Sequence, residues 1–164
     1  MMFEKILAAI DLSDMGKHIF AHALSLASQN RAQLLLFHAL SPEEENSPLP
    51  IPPDLTQIYP ATGNDLTLDT WRKQWEEFER NGLETLQNYA KQAANAGIEV
   101  EFQQILGSPG RKICELAQNQ KVDLIVIGHR GRRGLSELFL GSVSNYVLHH
   151  ATCSVLMVQP TAPV

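Results

Sequence analysis

Between Val122 and Val158 the chain spells out one complete unit: an apolar run, a loop rich in glycine and arginine, a helical pattern and a second apolar run. Leu124-Ile125-Val126-Ile127 is short, apolar and β-branched, the pattern of a strand covered on both faces. Gly128, Gly131 and Gly134 follow at a spacing of three, and Gly141-Ser142 opens a helix. Ser154 to Val158 is the next strand. A strand, a helix and a second buried strand in this order fit a parallel sheet with helices packed on its faces.

The rest of the chain follows the same alternation. Ile6 to Ile10 is an apolar run ending at Asp11, so a first strand is expected there. Ser13 has the chemistry of a helix N-cap, with Asp14 in the first turn. The helix it opens runs to about Gln29 and turns Ile19, Phe20, Ala23, Leu24 and Ala27 inward. Leu34 to Leu40 is the second strand. Residues 41 to about 67 break the pattern with Pro42, Pro48, Pro50, Pro52, Pro53 and Pro60. Glu43, Glu44 and Glu45 are expected to keep the start of this insertion solvated, and a loop this long is a mobile insertion or an ordered lid.

A second helix is predicted from Thr67–Asp69 to Asn95, with Trp71, Trp75, Phe78, Leu86, Tyr89 and Ala93 as its stripe. Gly82 interrupts it, at about 1 kcal/mol relative to alanine. Ala96-Gly97 ends it. Val100 to Leu106 holds the third strand, and Ser108-Pro109 opens a third helix that ends near Gln120. The order βαβ–insertion–αβαβαβ gives an α/β fold with a mainly parallel sheet and helices on both faces. Residues 1–160 are expected to be a single domain, with a short tail at 161–164.

Composition narrows the function classes. A net charge of −5 argues against a general nucleic-acid binder. No apolar run reaches the roughly 18 residues that span a bilayer. Met1-Met2-Phe3-Glu4-Lys5 lacks a signal-peptide layout, and Cys114 and Cys153 are in no metal or CxxC spacing, so a reduced, cytoplasmic protein is expected.

The glycine loop is the main candidate for chemistry. It is neither a GxxxxGK[ST] phosphate loop nor a GxGxxG fingerprint. Arg130, Arg132 and Arg133 nevertheless bring positive charge to it, and a helix opens at Gly141-Ser142. Free N–H groups and the helix dipole there make an anion site, so the stretch is expected to hold the phosphates of a nucleotide. If the first and fourth strands are neighbours where the strand order reverses, Asp11 and Gly128 face one crevice. Other candidates are weaker. His18 and His22 lie four apart without a third metal ligand, and His149-His150 suit a helix C-terminus. Trp71, Trp75 and Phe78 read as core or interface, and Cys114 as a buried apolar residue.

Gly128-x2-Gly131-x9-Gly141-Ser142 resembles the motif of ATP-binding universal stress proteins, and the flanking text is similar to that family throughout. So is the start, KILAAIDLSDMG, with its strand, Asp and Ser. The resemblance implies a five-stranded sheet of order 3-2-1-4-5, doubly wound and of the adenine nucleotide alpha hydrolase-like type. It implies that Asp11 binds the nucleoside, that Ala9 and Ile10 line its entry, and that Ala39 meets adenine through its backbone. Gly128, His129, Arg130, Gly131, Arg132, Arg133 and Gly134 would wrap the ribose and phosphates. Ser142, Val143 and Ser144, after Gly141, would hold phosphate oxygens. The implied ligand is ATP, with Mg2+ as its companion ion, and AMP or cyclic AMP as alternatives.

The resemblance further implies a homodimer, with the strand at 154–158 pairing antiparallel to its copy, and an unknown protein partner. It implies a nucleotide-dependent regulatory or stress-response module without fast catalysis. The alternatives are a slow or partner-dependent ATPase and a nucleotide-free interaction module. The chain departs from the family at Leu12, where glycine is common, and at Ser154, where proline is frequent.

Overall fold

Four apolar runs and the mixed segment Val100–Leu106 become five parallel strands in the order β3-β2-β1-β4-β5. The computed structural model describes residues 2–44, 47–48, 64–129 and 140–159. In chain order these contain β1 (Lys5–Ala9), α1 (Asp14–Asn30), β2 (Gln33–Leu40), α2 (Asn64–Asn95), β3 (Val100–Leu106), α3 (Pro109–Asn119), β4 (Leu124–Gly128), α4 (Ser142–His150) and β5 (Ser154–Val158). The expected fold class and strand order are those observed. The greater part of the 41–67 insertion lies outside the described residues, so neither the mobile nor the lid reading of it can be placed.

The register explains why the central strands are apolar on both sides. Ile6 is level with Leu34 and Leu124, and Leu7 with Leu35 and Ile125. Ile6, Ala8, Leu34, Leu36, Leu124 and Val126 share one face, packed on Ile19, Phe20 and Ala23 of α1 and on Leu86 and Ala93 of α2. Leu7, Leu35, Phe37, Ile125 and Ile127 share the other, against Ile113, Leu116 and Ala117 of α3 and Val147 of α4. Each fully buried aliphatic side chain of this kind contributes roughly 1.5–3 kcal/mol. The sheet is therefore a rigid floor, and its upper ends are where loops can carry function.

Local signals set most element ends. The Ser13 hydroxyl accepts from the Met15 N–H and caps α1. Gly97, at φ +78°, ends α2, and the following Ile98 N–H returns to the Ala93 carbonyl. Ser108 stands at the N-cap of α3 with Pro109 behind it, but its hydroxyl makes no capping bond.

Three expectations need correction. The second helix begins at Asn64, ahead of Thr67–Asp69, since Asn64 and Asp65 are themselves residue types that suit a helix entry. Cys114 is half-buried, at the rim of the α3 layer, and not enclosed in it. Glu44 is not solvated: it is 7% exposed. A turn at Ser41–Glu44, closed by the Glu44 N–H on the Ser41 carbonyl, folds its carboxylate inward, where it finds hydrogen-bond donors.

Candidate functional site

β1 and β4 are adjacent, and their onward connections leave in opposite directions, to β2 and to β5. In an open parallel sheet, the crevice outside the carboxyl ends of two such strands is where ligands bind. The residues expected at the site can be placed against that crevice.

Asp11 follows β1 and is 9% exposed. Its Oδ1 accepts from the Ser13 N–H at 3.0 Å and from the Ser13 hydroxyl at 2.6 Å. This local turn converts the end of a strand into the start of α1 within a few residues. Gly16 allows it, because a Cβ there would collide with the Asp11 carbonyl. The Leu12 N–H donates to Glu44 Oε1 at 2.8 Å, so the Asp11–Ser13 segment is held from two sides.

Ala39 lies near the end of β2, beyond the last bond between β2 and the β1 side, from the Ile10 N–H to the Phe37 carbonyl. Backbone groups alternate in direction along a strand. Phe37 points its carbonyl to the β1 side, and Leu40 accepts from Gly107 on the β3 side. Ala39 therefore turns its N–H and C=O toward the space beside Ile10 and Asp11. Those two groups form a donor and acceptor pair level with the segment that follows β1. Ala9 and Ile10 lead into the same space from below, with Ile10 buried in the core.

The other wall comes from β4 and α4. Gly128 ends β4, and its missing side chain serves packing: a Cβ would run into Met15 Cγ and stand 3.0 Å from Ile19 Cδ1 of α1. Its carbonyl accepts from the Ser144 hydroxyl at 3.0 Å. Ser144 is 2% exposed, so this bond pins the first turn of α4 to the end of β4 and commits the Ser144 proton. Gly141, not Ser142, occupies the N-cap, and it brings no side chain to the helix end. The N–H groups of Ser142, Val143 and Ser144 belong to the first turn, where helical N–H groups have no intrahelical acceptor. Together with the helix dipole they favour an anion.

The structure thus brings Ala9, Ile10, Asp11, Ala39, Gly128 and the start of α4 to the upper end of one sheet. His129 follows β4, with its N–H bonded to the Val158 carbonyl of β5. Arg130, Gly131, Arg132, Arg133 and Gly134 lie outside the described residues.

Beside the Asp11 loop stands a group of residues that the sequence did not single out. His38, 1% exposed, places Nε2 2.6 Å from Glu44 Oε2. Gln104 Nε2 lies 2.9 Å from His38 Nδ1 and donates to the Glu79 carbonyl at 3.2 Å. The one legible trace of this cluster was Gly82. A Cβ on it would collide with Gln104 Nε2 and stand 2.8 Å from His38 Nδ1. The glycine that looked like a flaw in a helix is the surface through which α2 docks onto a polar pair.

The remaining candidates have structural surroundings. His18 is half-buried and His22 exposed on α1, and no cluster of three metal-ligating side chains occurs among the described residues. His150 donates through Nδ1 to the Tyr146 carbonyl at the end of α4. Trp71 and Trp75 stack along α2 next to the buried Phe78. Burial pushes the thiols of Cys114 and Cys153 above the ordinary cysteine range, with Cys153 adding to the effect on Cys114 and Asp123 to that on Cys153. None of the described helices is long and apolar enough to cross a membrane.

A parallel sheet of order 3-2-1-4-5, with a carboxylate and a helix N-terminus flanking its switch point, defines a doubly wound α/β protein of the adenine nucleotide alpha hydrolase-like kind. More narrowly, the chain belongs to the universal stress protein family, whose model matches residues 2–159. It is 36% identical over 162 residues to universal stress protein Sll1388 of Synechocystis, covering 97% of this chain and 99% of that one. Among solved structures, the hypothetical protein MJ0577 of Methanocaldococcus jannaschii superposes with a TM-score of 0.75 at 20% identity, over 99% of this chain and 100% of that one. A universal stress protein in complex with cAMP superposes at 0.65 with 23% identity, over 96% of this chain and 98% of that one. An Arabidopsis thaliana family protein with AMP bound superposes at 0.62 with 20% identity, over 97% and 93%.

Proposed function

We propose that this protein binds an adenine nucleotide, ATP foremost, across the β1–β4 switch point and works as a nucleotide-dependent regulatory module without fast catalysis. The observation that carries the reading is the placement of two complementary half-sites on one rigid sheet. On one side, the Asp11 carboxylate and the outward backbone pair of Ala39 match a ribose and the edge of an adenine ring. On the other, the first turn of α4, pinned to Gly128 through Ser144, offers backbone N–H groups to phosphate oxygens. Arg130, Arg132 and Arg133, with Gly131 and Gly134, supply the charge and the close approach that phosphates need. The family neighbours solved with AMP and with cAMP support the nucleoside half, since both ligands share adenosine with ATP.

The reading is tested by calorimetry with ATP, AMP and cyclic AMP on the wild-type chain and on Gly141→Val. Gly141 sits at φ −55°, ψ 155°, which any L-residue adopts, so valine there brings no backbone strain and sets a side chain at the helix end, with an unchanged circular dichroism spectrum as the control for an intact fold. The expected result is binding of ATP below millimolar concentration by the wild type and its loss in the variant. Affinity that survives Gly141→Val would show that the phosphates do not sit at α4.

We also assign β5, an outer strand of the sheet with Val155, Leu156 and Met157 half-buried, as the self-association edge of a homodimer. An unpaired apolar edge is a ready template for a second strand, and a two-fold axis lets the same edge serve both copies.

A further inference from the structure

The Asp11 loop is held by a residue far along the chain, in the turn that leads into the insertion. Glu44 Oε1 accepts from the Leu12 N–H at 2.8 Å, and Glu44 Oε2 faces His38 Nε2 at 2.6 Å. The tautomer of His38 follows from its neighbours. Gln104 Nε2 donates to the Glu79 carbonyl, which can only accept, so the Gln104 amide nitrogen is the atom turned to His38 Nδ1. Nδ1 is then the acceptor and Nε2–H the donor to Glu44. The carboxylate collects two donors, from His38 and from Leu12, inside a protein layer that leaves it 7% exposed. Phe78 closes the group edge-on, with ring centroids 5.9 Å apart. The glycine face of α2 at Gly82 seals it.

We propose that Glu44 is a positioning residue for the nucleoside half of the site, with His38 and Gln104 fixing its carboxylate. The proposal rests on the nucleotide reading above and adds the element that sets Asp11 in place. Three parts of the molecule meet in the cluster. His38 is one residue before Ala39, whose backbone faces the crevice. Leu12 is one residue after Asp11. Glu44 closes the first turn of the connection from β2 to α2. A ligand that holds Asp11 and Ala39 in one geometry therefore favours the closed Glu44 turn, and an intact turn favours the ligand by the same factor. Leu12 needs only its backbone for this, so a bulky side chain beside Asp11 is compatible with the linkage.

The test compares Glu44→Ala, Glu44→Gln and the double variant Glu44→Gln with Gln104→Glu. Affinities for ATP and adenosine are measured by calorimetry, and the Leu12 amide is followed by 15N–1H NMR. Loss of a buried acceptor from Leu12 is expected to weaken ATP and adenosine about equally, by about tenfold, with the Leu12 amide moving upfield. Glu44→Gln keeps an acceptor for Leu12 but sets its amide nitrogen against the His38 N–H, so an intermediate loss is expected. In the double variant, His38 reverses its tautomer: the amide introduced at position 44 donates to Nε2, and Nδ1–H donates to the carboxylate introduced at position 104, at the cost of the bond that Gln104 gives the Glu79 carbonyl. Partial recovery of affinity relative to Glu44→Gln is the signature of positioning, because a merely stabilising cluster would change the melting temperature and leave the affinity of the folded protein unmoved. Wild-type affinity in Glu44→Ala, or a selective loss for ATP with adenosine unaffected, overturns the proposal. A wild-type chain that binds neither ligand overturns instead the nucleotide reading on which it stands.

Discussion

Gly82 shows how a single residue can be misread from sequence and understood from packing. By helix propensity alone, Gly82→Ala should stabilise α2 by about 1 kcal/mol. In the fold, the added methyl has no room: it meets Gln104 Nε2 and His38 Nδ1. Swinging Gln104 away breaks its bonds to His38 and to the Glu79 carbonyl. Overpacking of this kind costs about 1–3 kcal/mol, so the substitution is expected to be destabilising on balance. Urea denaturation with an unchanged m-value and a lower midpoint would confirm the sign; a raised midpoint would mean that the cluster yields freely. The two cysteines carry a second expectation at this scale. Burial raises both thiols, and a group whose folded pKa is raised lends stability below its unfolded pKa and loses it as pH climbs through the folded one. Alkylation of the native protein by iodoacetamide is therefore expected to lag behind that of the unfolded chain near pH 8 and to catch up only at higher pH. Equal rates at pH 8 would contradict the burial of either thiol.

Elements were legible where their signals were local. The runs at 6–10, 34–40 and 124–127 announced strands because both faces of a central parallel strand are covered. Ser13 announced a cap, and its hydroxyl does cap. Ser108 was equally plausible by composition, yet its hydroxyl makes no capping bond. At α4 the serine looked like the cap, but Gly141 takes that position, which leaves the first-turn N–H groups without a capping side chain. The edge strand β5 can be tested by its hydrogen-bond direction. The Ser154 N–H bonds to the Asp123 carbonyl at the start of β4, so alternation turns the N–H of Met157 outward, away from β4. Met157→Pro removes one outward donor and spares the β4 ladder. A monomer by native mass spectrometry, with a melting temperature close to wild type, is the expected outcome. A dimer that persists would move the interface away from this edge.

At the scale of the whole molecule, the alternation of helices and buried strands made a parallel sheet with helices on both faces legible, while the order 3-2-1-4-5 was legible only through the family resemblance. The surroundings of the proposed nucleoside half were less legible. Asp11 could be named from its place at a strand end, but Glu44 sits in an acidic, proline-rich segment whose composition reads as solvated. Only the fold shows that the turn after β2 brings it to Leu12. A long-range contact of this kind leaves no periodicity in the chain. It does leave a consequence for the intact protein: a ligand that binds only the folded state raises its stability by mass action. ATP at about one hundred times its dissociation constant is expected to stabilise the wild type by about 2.7 kcal/mol, seen as a higher melting temperature. The same ATP concentration is expected to give much less in Gly141→Val.

The central claim is that one adenine nucleotide bridges the Asp11–Ala39 side and the start of α4. It is tested most directly by titrating ATP into 15N-labelled protein and mapping which amides move. The expected result is saturable shifts below millimolar ATP at Asp11, Leu12 and Ala39 on one side and at Ser142, Val143 and Ser144 on the other. No shifts up to millimolar ATP, or shifts confined to surfaces away from the β1–β4 crevice, would contradict it.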